Sequence, residues 1–167
     1  MPTFTSVLRS PIGNLKIAVD ERSRVQRVAL CALPGHDPAG VPSDERCAHV
    51  AAQLHEYFAG TRTTFELELA PEGTDFQLQV WHALQAIPFG ETATYEQQST
   101  RIGRPTAMRA VGAANGKNPI MIVVPCHRVI GKDGSLVGFG GGIERKKWLL
   151  CHELSVVAER RKAGEFV

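Results

Sequence analysis

Apolar and polar residues alternate along the first third of the chain with the two-residue spacing of β-strands. Three such runs are expected to form a small sheet, Phe4–Leu8, Leu15–Val19 and Val25–Leu30. A helical spacing begins after Ser43, the expected N-cap, and ends at Gly60. Residues 34–43 are rich in proline and glycine and predict a loop, whereas the alternation over Phe65–Leu69 predicts an edge strand.

Helical spacing dominates from Pro71 onward. The expected helices run from Thr74 to Ile87, from Thr94 to Ile102 and from Pro105 to about Asn115. The first two open on capping-box patterns, in which a threonine is followed three residues later by glutamine. Because only Gly103–Pro105 separates the second and third helices, the pattern predicts a helix-turn-helix motif.

The remaining third of the chain combines an apolar run, a glycine cluster and a last helix. Ile120–Val124 predicts a buried strand by its length and β-branching. The glycine cluster spans residues 138–142, the last helix is expected from Ile143 to about Leu154, and residues 155–167 are expected to be frayed. We therefore expect an α/β (α+β) protein with a structural N-terminal domain over residues 1–70 and a mostly helical domain over residues 71–167.

The composition is that of an ordinary globular protein. Of the 167 residues, 43% are hydrophobic and 22% charged, which argues against disorder. No apolar run reaches the length of a membrane span and no signal peptide is visible, so we expect a cytoplasmic protein. The net charge of +2 is divided into −3 over residues 1–85 and +5 over residues 86–167, which suggests an anionic partner for the second half.

Four cysteines are present, and none is part of a CxxC pair. Cys126 differs from the other three because His127 and Arg128 follow it, and cationic or imidazole groups favour a reactive thiolate. A structural cysteine is an equally open interpretation. His127 can act as its base only if the chain turns there or if a water bridges the two groups, and Glu153 is one of several carboxylates able to orient it.

Small residues cluster on the third predicted helix. Ala107, Ala110 and Gly112 permit close backbone approach to a partner, and Arg109 lies among them. Plain helix packing also selects small residues. A positive side chain beside such a face is, however, what insertion into a nucleic-acid groove requires.

Taken together, these motifs resemble those of the O6-alkylguanine-DNA alkyltransferases. The resemblance rests first on Arg109-Ala110-Val111-Gly112, Asn118-Pro119 and Pro125-Cys126-His127-Arg128-Val129. Further matching segments follow in the same order and spacing, Gly73–Gln77 with Trp81, Pro88–Gly90, Thr94–Tyr95, the glycine cluster, and Trp148–Leu150 with His152–Glu153. Ser10–Gly13 matches a weaker N-terminal signature, so that the resemblance covers essentially the whole chain.

The resemblance implies that Cys126 attacks the alkyl carbon on O6 of guanine and keeps the alkyl group as a thioether. His127 would accept the thiol proton through a water molecule while Glu153 holds the imidazole. Tyr95 would hydrogen-bond the guanine, and Asn118 would fix the turn that leads to the cysteine. The reaction would consume one chain for each alkyl group.

The same resemblance implies that the damaged nucleotide is flipped out through the minor groove while Arg109 takes its place. The expected DNA-contacting residues are Tyr95, Ala107, Met108, Arg109, Ala110, Gly112 and Arg128. The expected substrate pocket consists of Tyr95, Met121, Val129, Phe139 and Gly140, with the main-chain carbonyls of Cys126 and Val129 accepting from the guanine amine.

The implied partner is double-stranded DNA containing O6-alkylguanine, with O4-alkylthymine as a further substrate. We expect no cofactor, no metal and no membrane. A monomer is expected, and cooperative binding to DNA stays open.

Two departures from the family pattern affect the expected site. Phe139 stands where many members have tyrosine, and Met108 stands where the groove helix usually has alanine. Two other functions remain open, a DNA-binding regulator that transfers nothing and a cysteine hydrolase that turns over. The preferred alkyl group cannot be deduced from these residues.

Overall fold

The computed structural model describes residues 1–32 and 40–165. The chain forms two compact units. The first comprises Met1–Glu72 with Pro119–Met121, and the second comprises Gly73–Asn118 with the described part of Ile122–Val167. Within the described residues, no helix combines the length and the apolar character that a membrane crossing requires.

The first unit is a four-stranded sheet with one helix packed on it. The strands are β1 (Phe4–Ser10), β2 (Gly13–Val19), β3 (Val25–Leu30) and β4 (Val41–Pro42), and they lie in the order β3-β2-β1-β4. β1 and β3 are antiparallel to β2, whereas β4 runs parallel to β1. The helix α1 (Asp44–Ala59) packs on β1 and β2, so that alternate residues of β2 and one face of α1 form the apolar core.

Local sequence signals predict most of this unit correctly. The three long strands and α1 are confirmed. The Ser43 side chain accepts from the backbone N–H of Arg46, and Gly60 ends the helix with a left-handed φ of 79°. Of the predicted loop, residues 34–39 lie outside the described residues, and Val41–Pro42 belong to β4.

The predicted edge strand over Phe65–Leu69 is wrong. Only Leu69 pairs, through an isolated bridge to Val25. The backbone of Glu66 instead bonds the side-chain amide of Gln53 on α1, with the Glu66 N–H donating to Oε1 at 2.9 Å and its carbonyl accepting from Nε2 at 3.1 Å. A helix side chain thus takes the hydrogen bonds that a neighbouring strand would have supplied.

The second unit is mostly helical. Its helices are α2 (Asp75–Leu84), α3 (Tyr95–Arg101), α4 (Met108–Gly116) and α5 (Ile143–Lys162). Two short parallel strands, β5 (Ala93–Thr94) and β6 (Val129–Ile130), pair with each other. The helices α2, α3 and α4 pack together, and the indole N–H of Trp81 on α2 donates to the carbonyl of Ala114 on α4 at 2.8 Å.

A buried amide pair joins the two helices of the helix-turn-helix motif. Gln98 on α3 and Asn115 on α4 exchange two hydrogen bonds of 2.9 and 2.8 Å.

Both capping boxes are present, at Thr74 and at Thr94. The expected start of α4 at Pro105 is wrong, because Pro105 lies inside a tight turn in which Ala107 N–H donates to the carbonyl of Arg104 at 3.0 Å.

Two further predictions for this part of the chain are wrong. Ile120–Val124 is buried but is not a strand, since only Ile120 forms a bridge, to Val28, and Ile122 adopts a φ of 73°. The helix α5 continues to Lys162 instead of ending near Leu154. Two of its buried positions are occupied by Lys146 and Glu153. The spacing of apolar residues therefore does not reveal the full length of the helix.

Candidate active site and nucleic-acid interface

Cys126 lies at the start of a short 3-10 helix, Cys126–Arg128, and not at the end of a strand. Its side chain is 6% exposed. The side-chain amide of Asn118 donates to Sγ of Cys126 at 3.2 Å and to the carbonyl of Val124 at 2.8 Å. Asn118 therefore holds the thiol and the turn that precedes it at the same time.

His127 and Glu153 form a buried pair beside this turn. Nε2 of His127 lies 2.6 Å from Oε2 of Glu153, and the two side chains are 0% and 1% exposed. Glu153 lies on α5, so the pair connects the 3-10 helix to the last helix. The chain thus turns at Cys126, which is one of the two conditions that the sequence argument set, and the imidazole lies in the interior of the second unit.

The protonation of this pair follows from its surroundings. Burial alone raises the pKa of the Glu153 carboxyl, but hydrogen bonds and charge from His127 and Arg128 outweigh burial and bring that pKa far below its ordinary value. Burial lowers the pKa of His127, and Glu153 only partly opposes this. Neutral His127 then donates its Nε2 proton to ionised Glu153, which leaves a lone pair on Nδ1. Nδ1 is buried and forms no hydrogen bond with the described residues.

Burial disfavours the thiolate form of Cys126. Burial raises its pKa, although the Asn118 hydrogen bond and the charge of Lys146 lower it. If His127 and Glu153 activate the thiol, its pKa is expected to lie below the free value of about 8.5. In this structure burial outweighs the Asn118 hydrogen bond and the Lys146 charge, so the direction is opposite to that expectation. A reaction at Cys126 would therefore need a group that accepts the thiol proton.

Lys146 on α5 is a buried cation that sequence reasoning missed. Its ammonium donates to the main-chain carbonyls of Val129 and Val137 and lies 6.0 Å from the centre of the Tyr95 ring. Burial lowers its pKa, and the nearby Cys126 opposes this. The available signal was its spacing, because residues 146, 149 and 153 share one face of a helix.

Tyr95 begins α3 and lies against Val137 and Gly138, where the glycine cluster of residues 138–142 begins. Its hydroxyl donates to the carbonyl of Val137 at 2.7 Å, and burial raises its pKa. Gly138 adopts a φ of 71°, and a β-carbon there would lie 2.8 Å from the Tyr95 hydroxyl. Only glycine therefore permits this approach.

A hollow of about 790 Å³ lies between α4 and the glycine cluster of residues 138–142. Gly112, Gly116, Phe139 and Gly140 are among its lining residues, so two of the predicted pocket residues share it. Met121 belongs to the first unit, and its place in the pocket stays a prediction. A hollow of about 880 Å³ in the first unit contains none of the predicted reactive side chains.

The helix α4 presents the predicted nucleic-acid face. Met108, Arg109 and Ala110 are exposed, and Met108 is 46% exposed. Ala107 and Gly112 are partly buried, whereas Val111, Ala114 and Asn115 lie on the inner side. A β-carbon at Gly116 would contact no described atom within 4 Å, so packing inside the described chain does not require a glycine there.

Arg128 does not belong to this face, and the prediction that it contacts DNA is wrong. Its side chain is buried at 7% exposure, and Nε donates to Oε1 of Glu153 at 2.8 Å. Nη2 donates to Oε2 of Glu153 at 3.2 Å, and Nη1 donates to the carbonyl of Ile87 at 2.7 Å. A guanidinium that is bonded in this way inside the protein is not available to a phosphate.

Comparison with known proteins identifies both units of the chain. Residues 75–155 match the family model described as 6-O-methylguanine DNA methyltransferase, DNA binding domain. Residues 4–71 match the model for the ribonuclease-like domain of the same methyltransferases. A methylated-DNA–protein-cysteine methyltransferase from Methanosarcina barkeri is 45% identical over 88% of this chain and 94% of its own.

Solved structures agree with the sequence comparison. The crystal structure of a Mycobacterium tuberculosis O6-methylguanine methyltransferase has a TM-score of 0.84 and 45% identity, over 92% of this chain and 93% of that one. A second structure from that organism, a complex with DNA, has a TM-score of 0.84 and 44% identity, over 93% and 94% of the two chains. With both units matched by its models and a relative 45% identical over most of both chains, this chain belongs to the methylated-DNA–protein-cysteine (6-O-methylguanine DNA) methyltransferase family.

Proposed function

We propose that this protein repairs DNA by moving an alkyl group from O6 of guanine to its own Cys126, once per chain. The observation that carries the proposal is the position of Cys126 in the second unit. Its thiol accepts from Asn118, and the next residue is the buried imidazole that Glu153 orients. The same unit contains the helix-turn-helix pair α3 and α4, whose exposed residues include Arg109.

The proposed transfer is a single displacement at the alkyl carbon. A bond forms between Sγ of Cys126 and that carbon, the carbon–O6 bond breaks, and its electron pair stays with the guanine. The thiol proton passes to Nδ1 of His127, through a water molecule as in the family mechanism, and the guanine takes up one proton. Ionised Glu153 stabilises the imidazolium that forms, which is the role of the acid in a thiol– or hydroxyl–histidine relay.

Tyr95 and Lys146 are proposed to act on the base. The Tyr95 hydroxyl remains protonated because its pKa is raised, so it can donate a hydrogen bond to the leaving guanine. In the described structure that hydroxyl bonds the Val137 carbonyl, and binding of the guanine in this pose exchanges one acceptor for the other. Lys146 holds the carbonyls of Val129 and Val137, the first of which is expected to face the guanine amine.

On duplex DNA we propose that the alkylated nucleotide is flipped out, since its O6 substituent is otherwise inside the base stack. Arg109 would occupy the vacated position, and Ala107, Met108, Ala110 and Gly112 would approach the minor groove. O4-alkylthymine as a second substrate, a cytoplasmic location and a monomeric protein are parts of the same proposal.

The flipping role has its own test. Arg109→Ala should slow repair of an O6-methylguanine duplex more than reaction with free O6-benzylguanine, because only the duplex requires flipping. Equal losses on the two substrates would remove the proposed role of Arg109. Arg101→Ala on α3 serves as a matched control for the loss of one exposed positive charge in the same motif.

Mass spectrometry tests the proposed function directly. The protein is incubated with an excess of O6-methylguanine duplex, and the tryptic peptide that carries Cys126 is weighed over time. We expect the mass of one methylene group to appear on that peptide and repair to stop at one alkyl group per chain. Methylation of another cysteine would move the site, and binding without methylation would favour a regulator. Release of product beyond one equivalent would indicate a hydrolase.

A further inference from the structure

The Glu153 carboxylate receives more hydrogen bonds than a relay with His127 requires. Oε1 accepts from Nε of Arg128 at 2.8 Å and from the backbone N–H of Gly90 at 3.1 Å. Oε2 accepts from Nε2 of His127 at 2.6 Å and from Nη2 of Arg128 at 3.2 Å. Three of these four donors belong to Arg128 and Gly90. Neither the proposed function nor the family resemblance gives these two residues a part in the transfer.

These extra donors are themselves held by one short segment, the turn Ile87–Gly90 that follows α2. The carbonyl of Ile87 accepts from Nη1 of Arg128 at 2.7 Å, and the centre of the Phe89 ring lies 5.7 Å from the Arg128 guanidinium. The same turn supplies the Gly90 amide. Arg128 therefore spans from the turn to Glu153, and the turn contacts Glu153 a second time through its own backbone.

The conformation of Gly90 is what brings its amide to the carboxylate. Its φ is 80°, a value that side-chain-bearing residues rarely adopt. A β-carbon there would also lie 2.6 Å from Cγ2 of Val157, one turn beyond Glu153 on α5. Any larger residue would push the turn away from the face of α5 on which Glu153 lies.

We propose that Arg128 and the Ile87–Gly90 turn are positioning elements of the alkyl transfer, which hold the Glu153 carboxylate against Nε2 of His127. By fixing Nε2 as the donor, they leave Nδ1 as the atom that takes the thiol proton. The inference rests on the proposed function. It also explains why an arginine next to the reactive cysteine is buried when its charge would be useful on a DNA-binding surface.

The first experiment is a double-mutant cycle on the full chain. The variants are Arg128→Lys, Glu153→Gln and the two together, and the readout is the rate of Cys126 alkylation by free O6-benzylguanine, which needs no DNA. Arg128→Lys keeps the charge but loses the two-pronged contact, and we expect it to slow alkylation by about tenfold, as loss of an outer supporting contact commonly does. In the Glu153→Gln protein the same change should have little further effect, because Arg128 acts through Glu153.

The pH profile distinguishes positioning from a purely structural role. Arg128 lowers the pKa of both Glu153 and His127, while Lys146 is the other cation that acts on His127. Weakening the Arg128 contact should therefore move the acid limb of the alkylation rate to higher pH. Thermal melting of each variant, with Arg62→Lys as the control at an Arg–Glu pair in the first unit, reports how much of the change is lost stability.

A second arm tests the turn without touching Arg128. Gly90→Ala is compared with Gly164→Ala, whose φ is also positive at 77° but whose β-carbon would contact no described atom within 4 Å. We expect only Gly90→Ala to slow alkylation, and we expect this effect to disappear in the Glu153→Gln protein. Full activity of Arg128→Lys and Gly90→Ala, or losses that simply add to that of Glu153→Gln, would overturn the inference. Failure of the unchanged protein to alkylate Cys126 at all would instead overturn the proposed function.

Discussion

The two units differ most in what they bury. The first has an almost wholly apolar interior, with Thr5 and Asp20 as its buried polar side chains among the described residues. The second buries seven polar or charged side chains, Gln98, Ser99, Asn115, His127, Arg128, Lys146 and Glu153. Burial of such groups is costly unless each is paired, and well-packed apolar residues would often be at least as stable.

The difference shows where the fold serves chemistry. In the first unit the described Arg–carboxylate pairs, Asp20–Arg24 and Glu56–Arg62, are partly exposed. Such pairs contribute on the order of 1 kcal/mol or less. In the second unit the pairs are buried beside Cys126, where low water content strengthens every charge–charge interaction. A sheet and a helix can be stable without these groups, whereas the proposed alkyl transfer requires them to accept the thiol proton inside the protein.

The largest expected effect is a loss of activity without loss of the fold. Cys126→Ser should abolish alkyl transfer, because a hydroxyl is a far weaker nucleophile than a thiol near neutral pH. Its melting temperature should stay close to that of the unchanged protein, since the two side chains are similar in size. Cys47→Ser, a buried cysteine of the first unit, is the matched control and should keep full activity.

Acidification should destabilise the protein through the second unit. The pKa of buried His127 is lowered from 6.5, so its stabilising effect is complete above about pH 6.5 and declines as the pH falls and the imidazole must be charged. The pKa of Glu153 is lowered from 4.5, so its contribution is complete above that pH and is lost below it. Urea unfolding between about pH 8 and about pH 3 should show the decline, and Glu153→Gln should reduce the part of it that lies below pH 4.5. An unchanged slope in Glu153→Gln would contradict this assignment.

Truncation of a core side chain in the first unit should reduce stability and leave reactivity intact, which is the reverse of the effect expected for Cys126→Ser. Leu54 lies on α1 and is fully buried, and Leu54→Ala should lower the free energy of unfolding by about 2–5 kcal/mol. Cys126 should still react with free O6-benzylguanine under conditions in which the variant is folded. Loss of reactivity in the folded variant would show that the chemistry of the second unit depends on the core of the first.

A smaller effect is expected at the amide pair between α3 and α4. Asn115→Ala leaves the Gln98 amide buried without its partner and should cost about 1–3 kcal/mol of stability. The double change Gln98→Leu with Asn115→Leu removes both polar groups and should recover much of that loss. Calorimetric melting of the three proteins measures both quantities. If the double variant is the least stable, the pair is retained for stability and not for the geometry of the motif.

Much of the fold could be predicted because its signals are local. The capping boxes at Thr74 and Thr94 and the glycine stop at Gly60 each depend on residues within one helical turn. The apolar run at Ile120–Val124 misled, because burial and β-branching are the same in a strand and in a buried turn. The side chain of Asn118 distinguishes the buried turn from a strand, because it donates a hydrogen bond to the carbonyl of Val124.

The candidate site also contains residues that the sequence could identify and residues that it could not. Cys126, His127 and Glu153 could be named from the sequence because their motif is specific, and the structure brings them together. The role of Arg128 could not, since an arginine beside a cysteine is equally compatible with a phosphate and with a carboxylate as its partner. Lys146 was missed because a lysine in a helix is usually on the surface.

The sequence by itself determined the order of the elements, the places where most helices begin, and which cysteine is the candidate for the reactive thiol. These depend on residue types and on neighbours three or four positions away. Only the tertiary structure decided which charged and polar groups pair with each other inside the second unit. The contacts that surround Glu153 join residues 41 apart at Ile87 and Arg128 and 63 apart at Gly90 and Glu153. Nothing in the spacing of a chain specifies such contacts, because they exist only after the helices have packed and water has left the space between them.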